Sequence, residues 1–192
     1  MNALFGSQFK ALKVLFNTLK IKYAVIGGMA VLLYGEPRLT LDIDVSAAIA
    51  KADVGKFLLM AKRFGFRPIP NNIMRFIAKT NVIPLRYSKG TSIGRCDIII
   101  AQNAIEQETI ERARPKKVGS VNMCVVSAED LIIHKITSSR PRDREDLAGI
   151  IRRQKGKLDL EYIRRWLRKI DRVNAGPKLT GVFDNLVKSS RP

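Results

Sequence analysis

Three aspartates have the spacing of a divalent-metal site. Asp42 and Asp44 lie in Leu41-Asp-Ile-Asp-Val45, where acidic and apolar residues alternate as in a strand with one polar face. The two carboxylates therefore project together and repel each other unless a cation lies between them. Asp97 is the only charge in the apolar, β-branched run 96–101, and a carboxylate beginning a buried strand needs a partner or a metal. Oxygen clusters of this kind suit hard divalent cations.

A glycine pair precedes the aspartates. Gly27 and Gly28 follow the short apolar strand predicted at 23–26 and precede a helix predicted at 29–34. Such a turn leaves backbone N–H groups free and allows a phosphate to approach closely. Taken separately, the glycines could form a simple tight turn and Asp-x-Asp a solvated strand face. Together they predict a site for a nucleoside triphosphate and magnesium.

The arrangement resembles the signature of the polymerase-beta-like nucleotidyltransferase superfamily. Gly27-Gly28 is followed after thirteen residues by Asp42-Ile-Asp44, and the intervening Gly35-x-x-Arg38-x-Thr40 is similar to the branch of AbiEii-type toxins and their small stand-alone relatives. The resemblance implies an α+β nucleotidyltransferase fold, with a mixed sheet flanked by helices and a small C-terminal helical region. It also implies an enzyme that moves a nucleoside monophosphate from an NTP to a hydroxyl group.

The resemblance implies roles for individual residues. Asp97 becomes the third carboxylate beside Asp42 and Asp44, all three holding Mg²⁺ or Mn²⁺ and acting in catalysis. The phosphate-binding candidates that it implies are Gly27, Gly28, Arg38, Ser46, Lys135 and Asp146. For Asp97 the alternative is an exposed edge position or an ion pair with Arg95.

Two of these candidates lie in the C-terminal third. Ser127-Ala-Glu-Asp130 is a capping box that starts the apolar helix carrying Lys135. Asp143 and Asp146 lie one turn apart, in a stretch similar to the Arg-Asp-x-x-Asp-Leu element that closes the family's site. Acidic residues in a first helical turn also complement the helix dipole, so both interpretations stay open. The single histidine, His134, could act as a base or have a structural role.

Composition indicates a folded, strongly basic protein. The 192 residues are 46% hydrophobic and 27% charged, as in globular chains rather than disordered ones. The longest apolar stretch is too short and too glycine-broken to span a membrane, and the start lacks the pattern of a signal peptide. Two distant cysteines indicate neither a disulfide framework nor a zinc site. We therefore expect a cytoplasmic protein with no membrane partner.

The formal net charge of +18 suggests nucleic acid as the partner or substrate. RNA is the favoured acceptor, particularly a tRNA 3′ end, because the toxins that the chain resembles include enzymes that modify tRNA. A toxin–antitoxin role with a cognate antitoxin protein is a further expectation. The alternatives are a catalytically silent module that binds RNA or protein, or transfer to a protein or an antibiotic.

Periodicity predicts the remaining elements. A helical stripe runs from Phe5 to Leu19, and the basic helix Glu161–Ile170 has either a solvated face or a nucleic-acid surface. Strands are predicted at Arg75–Lys79 and Ile83–Tyr87. Residues 1–126 are the predicted nucleotidyltransferase core, and residues 127–192 are a helical region that completes the site.

Overall fold

Helices and strands alternate through the first two thirds of the chain, and helices alone follow. The computed structural model describes residues 2–138 and 140–189, with side-chain burial from residue 5 onward. In chain order the elements are α1 (Asn2–Leu19), β1 (Tyr23–Ile26), α2 (Gly27–Tyr34), β2 (Asp42–Ala47), a 3-10 turn (Lys51–Asp53), α3 (Val54–Arg63), β3 (Phe66–Pro68), α4 (Ile73–Thr80), β4 (Val82–Lys89), β5 (Ser92–Ile100), α5 (Ala104–Arg112), β6 (Arg114–Val118), β7 (Val121–Val125), α6 (Ala128–Ile136), α7 (Pro141–Arg153), α8 (Leu160–Val173) and α9 (Leu179–Ser189).

The strands within the described residues form one mixed sheet in the order β3-β4-β5-β2-β1-β7-β6. The pairs β2–β5 and β1–β7 are parallel, and the other neighbouring pairs are antiparallel. The mixed sheet flanked by helices confirms the fold class predicted from the sequence. Its central neighbours, β2 and β5, are the strands that carry the three aspartates.

One face of this sheet is packed by α1. Leu85, Cys96 and Ile43 are register partners on β4, β5 and β2, and all are buried. A Cβ built on Gly94, which shares this face with Cys96, would collide with Gln8 of α1. Since side chains alternate along a strand, Asp42, Asp44 and Asp97 project from the opposite face.

The chain divides into two compact units. Unit 1 comprises residues 1–29 and 39–126 and contains the whole sheet with α1, α3, α4 and α5. Unit 2 comprises residues 30–38 and 127–192 and contains α6 to α9. Residues 30–38 thus group with the C-terminal helices, and the division into a nucleotidyltransferase core at 1–126 and a helical region at 127–192 that completes the site stays a prediction.

Residues 30–38 join unit 2 because they contact α7 closely. The guanidinium of Arg153 donates to the backbone oxygen of Gly35, and the amide of Gln154 donates to that of Tyr34 at 2.9 Å. A Cβ on Gly35 would lie 2.9 Å from a side-chain carbon of Ile150, so a larger residue does not fit here without a shift. Gly35 is therefore needed for the close packing of this segment against α7, in addition to its position at the end of α2.

Unit 2 also contains a fully buried carboxylate that links two helices. Asp130 is 0% exposed and accepts hydrogen bonds from the hydroxyls of Ser127, at 2.6 Å, and of Tyr162 on α8. The backbone N–H of Asp130 donates to Ser127 Oγ at 3.1 Å, which is the N-cap bond predicted from the sequence. The side chain of Asp130 thus connects α6 to α8.

No helix within the described ranges is long and apolar enough to cross a membrane.

The predicted strand at Arg75–Lys79 is wrong, because these residues lie within α4. The side chain of Asn72 caps the helix by accepting from the backbone N–H of Arg75, and Asn81 ends it in a left-handed conformation with φ of 54°. Ile77 is its buried contact. The segment is therefore part of a capped helix, and both capping residues lie outside the run that was interpreted as a strand. The second strand predicted here, Ile83–Tyr87, lies within β4.

Candidate active site

The three aspartates lie on one face of the sheet in unit 1. Asp42 and Asp44 are two residues apart on β2, and Asp44 is the register partner of Asp97 on the parallel neighbour β5. Register partners on adjacent strands project to the same side. All three carboxylates are half-buried, which leaves them open to a ligand. The structure thus places Asp97 beside the Asp-x-Asp pair, as the sequence predicts.

Asp97 also forms an ion pair with Arg95, so the alternative considered for this residue holds at the same time. The guanidinium of Arg95 donates to both carboxylate oxygens of Asp97, at 3.2 Å and 3.1 Å. This hydrogen bonding raises the pKa of Arg95 above its ordinary value, and the negative charges of Asp97, Asp42 and Asp44 add to the shift. Arg95 therefore lies within the field of all three carboxylates.

The negative charges of the three aspartates also affect Cys96, on the other face of the sheet. Cys96 is fully buried on the opposite face of β5, where burial raises the pKa of its thiol well above the ordinary value. The nearby charges of Asp44, Asp97 and Asp42 raise it further. A thiol held in this neutral form is poorly nucleophilic.

The donor chemistry of the three aspartates fits a hard divalent cation. Three carboxylate side chains lie on adjacent strands, and oxygen is the ligand that Mg²⁺ and Mn²⁺ prefer. No group of three or more acidic, His or Cys side chains in the described part of the chain is already drawn together tightly enough to hold an ion. Asp97 is instead paired with Arg95, whose guanidinium brings a positive charge beside the carboxylates.

Gly27 is the residue that allows Asp44 to occupy its position. Its φ of +60° is in the left-handed region, and a Cβ built on it would collide with the carboxylate of Asp44, whose Cβ and Cγ lie 2.9 Å from that point. Gly27 also begins α2. Helical N–H groups in a first turn have no partner within the helix, so Gly27 and Gly28 lie where a phosphate could bind beside Asp44.

Ser46 was predicted to contact phosphate, and the structure gives it a less accessible position. It lies on the same face of β2 as Asp44 but is only 2% exposed. Its Oγ has no hydrogen-bond partner among the described residues. A buried hydroxyl without a partner costs free energy. A ligand that reached past Asp44 would therefore gain a hydrogen bond here.

Three other predicted residues form an ion network within unit 2. The guanidinium of Arg38 donates to both oxygens of Asp146, at 2.7 Å and 2.9 Å. Lys135 Nζ donates to Asp146 at 2.7 Å and to Asp143 at 2.6 Å. The side chains of Asp146 and Lys135 are 4% and 7% exposed. Each of the two basic residues thus has a carboxylate partner, and their predicted contact with phosphates stays a prediction.

The carboxylates of this network are held in their charged form. Burial alone would raise the pKa of Asp146, but hydrogen bonds from Arg38 and Lys135 outweigh burial and lower it from the ordinary 3.8. Burial likewise opposes a lower pKa for Asp143, and hydrogen bonds from Lys135 and Ser138 outweigh it. His134 is half-buried on α6 in the same unit.

Sequence reasoning considered Arg95 only as a possible ion-pair partner and missed its place in the acidic group. It lies two residues before Asp97, so the period of a strand already puts the two side chains on one face. Its pairing opposite Asp42, by contrast, depends on the register of β2 against β5, which no local pattern specifies.

Comparison with known proteins identifies the fold. The profile of a family described as "Nucleotidyl transferase of unknown function (DUF2204)" matches residues 99–175, which is less than half of the chain. No curated protein matches the chain in sequence.

Solved structures resemble the chain over most of its length. An antigenic nucleotidyltransferase-like protein from Paracoccidioides brasiliensis is 14% identical with a TM-score of 0.55, over 96% of this chain and 92% of that one. The antibiotic-resistance factor ANT(2″)-Ia is 14% identical with a TM-score of 0.59, over 90% and 96%. The lincosamide antibiotic adenylyltransferase LnuA is 18% identical with a TM-score of 0.52, over 78% and 98%. These likenesses confirm the nucleotidyltransferase fold. The resemblance to the branch of AbiEii-type toxins stays a prediction.

Proposed function

We propose that this chain, which has the nucleotidyltransferase fold, transfers a nucleoside monophosphate from an NTP to a hydroxyl acceptor. The observation that carries the proposal is the placement of Asp42, Asp44 and Asp97 on one open face, with Gly27 shaped to accommodate Asp44. Carboxylates arranged in this way, next to the N-terminus of α2, have the groups that a metal–triphosphate complex needs.

Each residue has a part in the reaction. Mg²⁺ or Mn²⁺ bound by the three aspartates would supply the positive charge that phosphoryl-type transfer requires. The N–H groups of Gly27 and Gly28 bind the triphosphate at the start of α2. An acceptor hydroxyl placed at Asp97 attacks the α-phosphorus and forms a new P–O bond. The bond from the α-phosphorus to the bridging oxygen breaks, pyrophosphate leaves, and the hydroxyl proton passes to Asp97 or water.

RNA is the acceptor that we favour, with a tRNA 3′ end as the first candidate. A net charge of +18 concentrates polyanions around the protein. Action as the toxin of a toxin–antitoxin pair in the cytoplasm, neutralised by a cognate antitoxin protein, is part of the same proposal. Such a role would agree with the resemblance seen in the sequence.

Two other acceptors and a non-enzymatic role compete with it. LnuA is described as a lincosamide antibiotic adenylyltransferase, and ANT(2″)-Ia was solved with adenylyl-2″-tobramycin, so small-molecule acceptors occur on this fold. A cationic drug would be repelled by the charge of this chain. A protein hydroxyl is the other acceptor. A silent binding module is disfavoured because all three carboxylates are present on one face.

The test compares Asp44→Ala with Asp53→Ala. Asp53 is an exposed aspartate of the same unit and controls for the loss of one charge. Each protein is incubated with a labelled NTP, Mg²⁺ and either total RNA or no RNA. We expect transfer by the parent and by Asp53→Ala, and a loss of about a hundredfold or more in Asp44→Ala. Label in RNA supports the favoured acceptor, and label in protein supports the alternative. Equal activity of both variants would refute the site.

A further inference from the structure

A row of three arginines crosses the aspartate-bearing face of unit 1. Arg67 on β3 is the register partner of Arg86 on β4, and Arg86 is the partner of Arg95 on β5. The next residue in the row is Asp42 on β2. Adjacent strands are about 4.8 Å apart, so the three arginines span roughly 10 Å from Arg67 at the sheet edge to Arg95. We name Arg67, Arg86 and Arg95 the arginine row.

The row has a cost that the fold does not explain. Like charges directly opposite each other on neighbouring strands are destabilising. Arg67 and Arg86 are exposed, and neither has an ion-pair partner among residues 5–138 and 140–189. Basic residues on an edge strand prevent strand addition, which could account for Arg67 on β3. Arg86 and Arg95 lie on interior strands, where this reason does not apply.

The position of the row separates it from the nucleotide site. In the sheet order, Gly27 follows β1 on one side of the strand that carries Asp42 and Asp44, and the row occupies β5, β4 and β3 on the other side. A triphosphate bound by the amides of Gly27 and Gly28 therefore lies away from Arg67 and Arg86. The row instead leads to Asp97, where the acceptor hydroxyl is placed.

We propose that the arginine row binds successive backbone phosphates of an RNA acceptor whose terminal hydroxyl lies at Asp97. This inference rests on the proposed function, and it specifies the acceptor as a single-stranded RNA end. Guanidinium groups bind phosphate oxygens in a bidentate manner, and phosphodiester charge relieves the repulsion among the three side chains. The side chains of β4 and β5 that alternate onto this face include no aromatic residue, so we expect contacts with the RNA backbone rather than with the bases.

The experiment measures RNA binding without NTP. The double variant Arg67→Gln/Arg86→Gln removes two charges from the row, and Lys62→Gln/Arg63→Gln removes two exposed charges from α3 as a matched control. The ligand is a short single-stranded oligoribonucleotide with a free 3′ hydroxyl, followed by fluorescence anisotropy at several salt concentrations. Each lost phosphate contact lowers the slope of log K against log salt by about 0.7 for single strands, so we expect a fall of about 1.4 in the row variant alone.

The outcomes separate this inference from the proposed function. Equal losses in the two double variants, or no binding of RNA by the parent protein, overturn the inference. Transfer assays on the row variant give a second measure: the KM for RNA should rise while the KM for NTP stays the same, and the reverse result assigns the row to the triphosphate. A parent protein that binds RNA through the row but transfers no nucleotide to any acceptor refutes the proposed function and leaves the row intact. Thermal unfolding of each variant confirms that it is folded.

Discussion

Two groups of aspartates and basic side chains in this molecule have similar composition and opposite accessibility. In unit 1, the ion-paired side chains of Arg95 and Asp97 are 51% and 21% exposed. In unit 2, Lys135 and Asp146 are 7% and 4% exposed. The open group has three carboxylates on the aspartate-bearing face, whereas each carboxylate of the closed network has a basic partner within 3 Å.

The difference shows which group can exchange partners with a ligand. An exposed ion pair contributes little to stability because water and salt compete for its charges. A buried network is costly to break, since any unpaired charge is left in a low-dielectric environment. We therefore assign ligand binding to the open carboxylates and assign stability to the closed network. Both assignments can be tested by the same type of substitution in the two units.

The largest expected effect on stability is that of Asp146→Asn. The substitution leaves Arg38 without its bidentate partner and leaves buried Lys135 with Asp143 alone. Removing one partner of a buried ion pair costs about 3–5 kcal/mol, so the urea midpoint should fall substantially at an unchanged m-value.

The matched substitution in the open group is Asp44→Asn. Here one of three neighbouring like charges disappears, which relieves repulsion, and the shape of the side chain is kept. The free energy of unfolding should change by less than about 1 kcal/mol. If Asp44→Asn destabilised the protein as much as Asp146→Asn, the distinction between the two groups would be wrong.

A smaller effect is expected from acidification. The pKa values of Asp143 and Asp146 are below their ordinary 3.8 in the folded protein. As the pH falls, the unfolded chain therefore binds more protons than the folded protein does. The stabilisation from these groups is present above the ordinary pKa and is lost as the pH drops through the lower, folded value. Urea midpoints measured from neutral pH to below 3.8 should fall in the parent protein.

Asp146→Asn provides the control for this pH dependence. The variant lacks one of the titrating groups, so its midpoint should fall less steeply over the same pH range. An identical slope in the parent and the variant would show that other carboxylates dominate acid unfolding. Asp171 is one such group, because hydrogen bonds from Thr180 and Leu179 outweigh its burial and lower its pKa as well.

The open group was predictable from the sequence because it depends on local periods. Alternation along β2 places Asp42 and Asp44 on one face, and a short β-branched run around Asp97 predicts a central strand. The glycine turn between a strand and a helix was visible in the same way at Gly27 and Gly28, whereas the left-handed φ of Gly27 and its close approach to Asp44 were seen only in the structure. These features need only the geometry of single strands and turns, together with the resemblance that brings β5 beside β2.

The closed network was not predictable, because it depends on tertiary contacts. Arg38 and Asp146 are 108 residues apart in the chain, and no local pattern shows that they pair. Residues 30–38 could be assigned to the helical unit only from their packing against α7. The helix at 73–80 was missed for a different reason, because its caps lie outside the short segment that was interpreted as a strand.

The smallest expected effect is that of Arg95→Gln on stability. The substitution removes the ion pair with Asp97, whose side chains are exposed enough for the pair to be worth about 0.2–1 kcal/mol. It also removes a like charge directly opposite Arg86, and the loss of this repulsion raises the free energy of unfolding by a similar amount. These two terms oppose each other, so the urea midpoint should match that of the parent within error. A loss as large as that of Asp146→Asn would mean that Arg95 supports the fold, because breaking an ion pair this exposed has a far smaller effect.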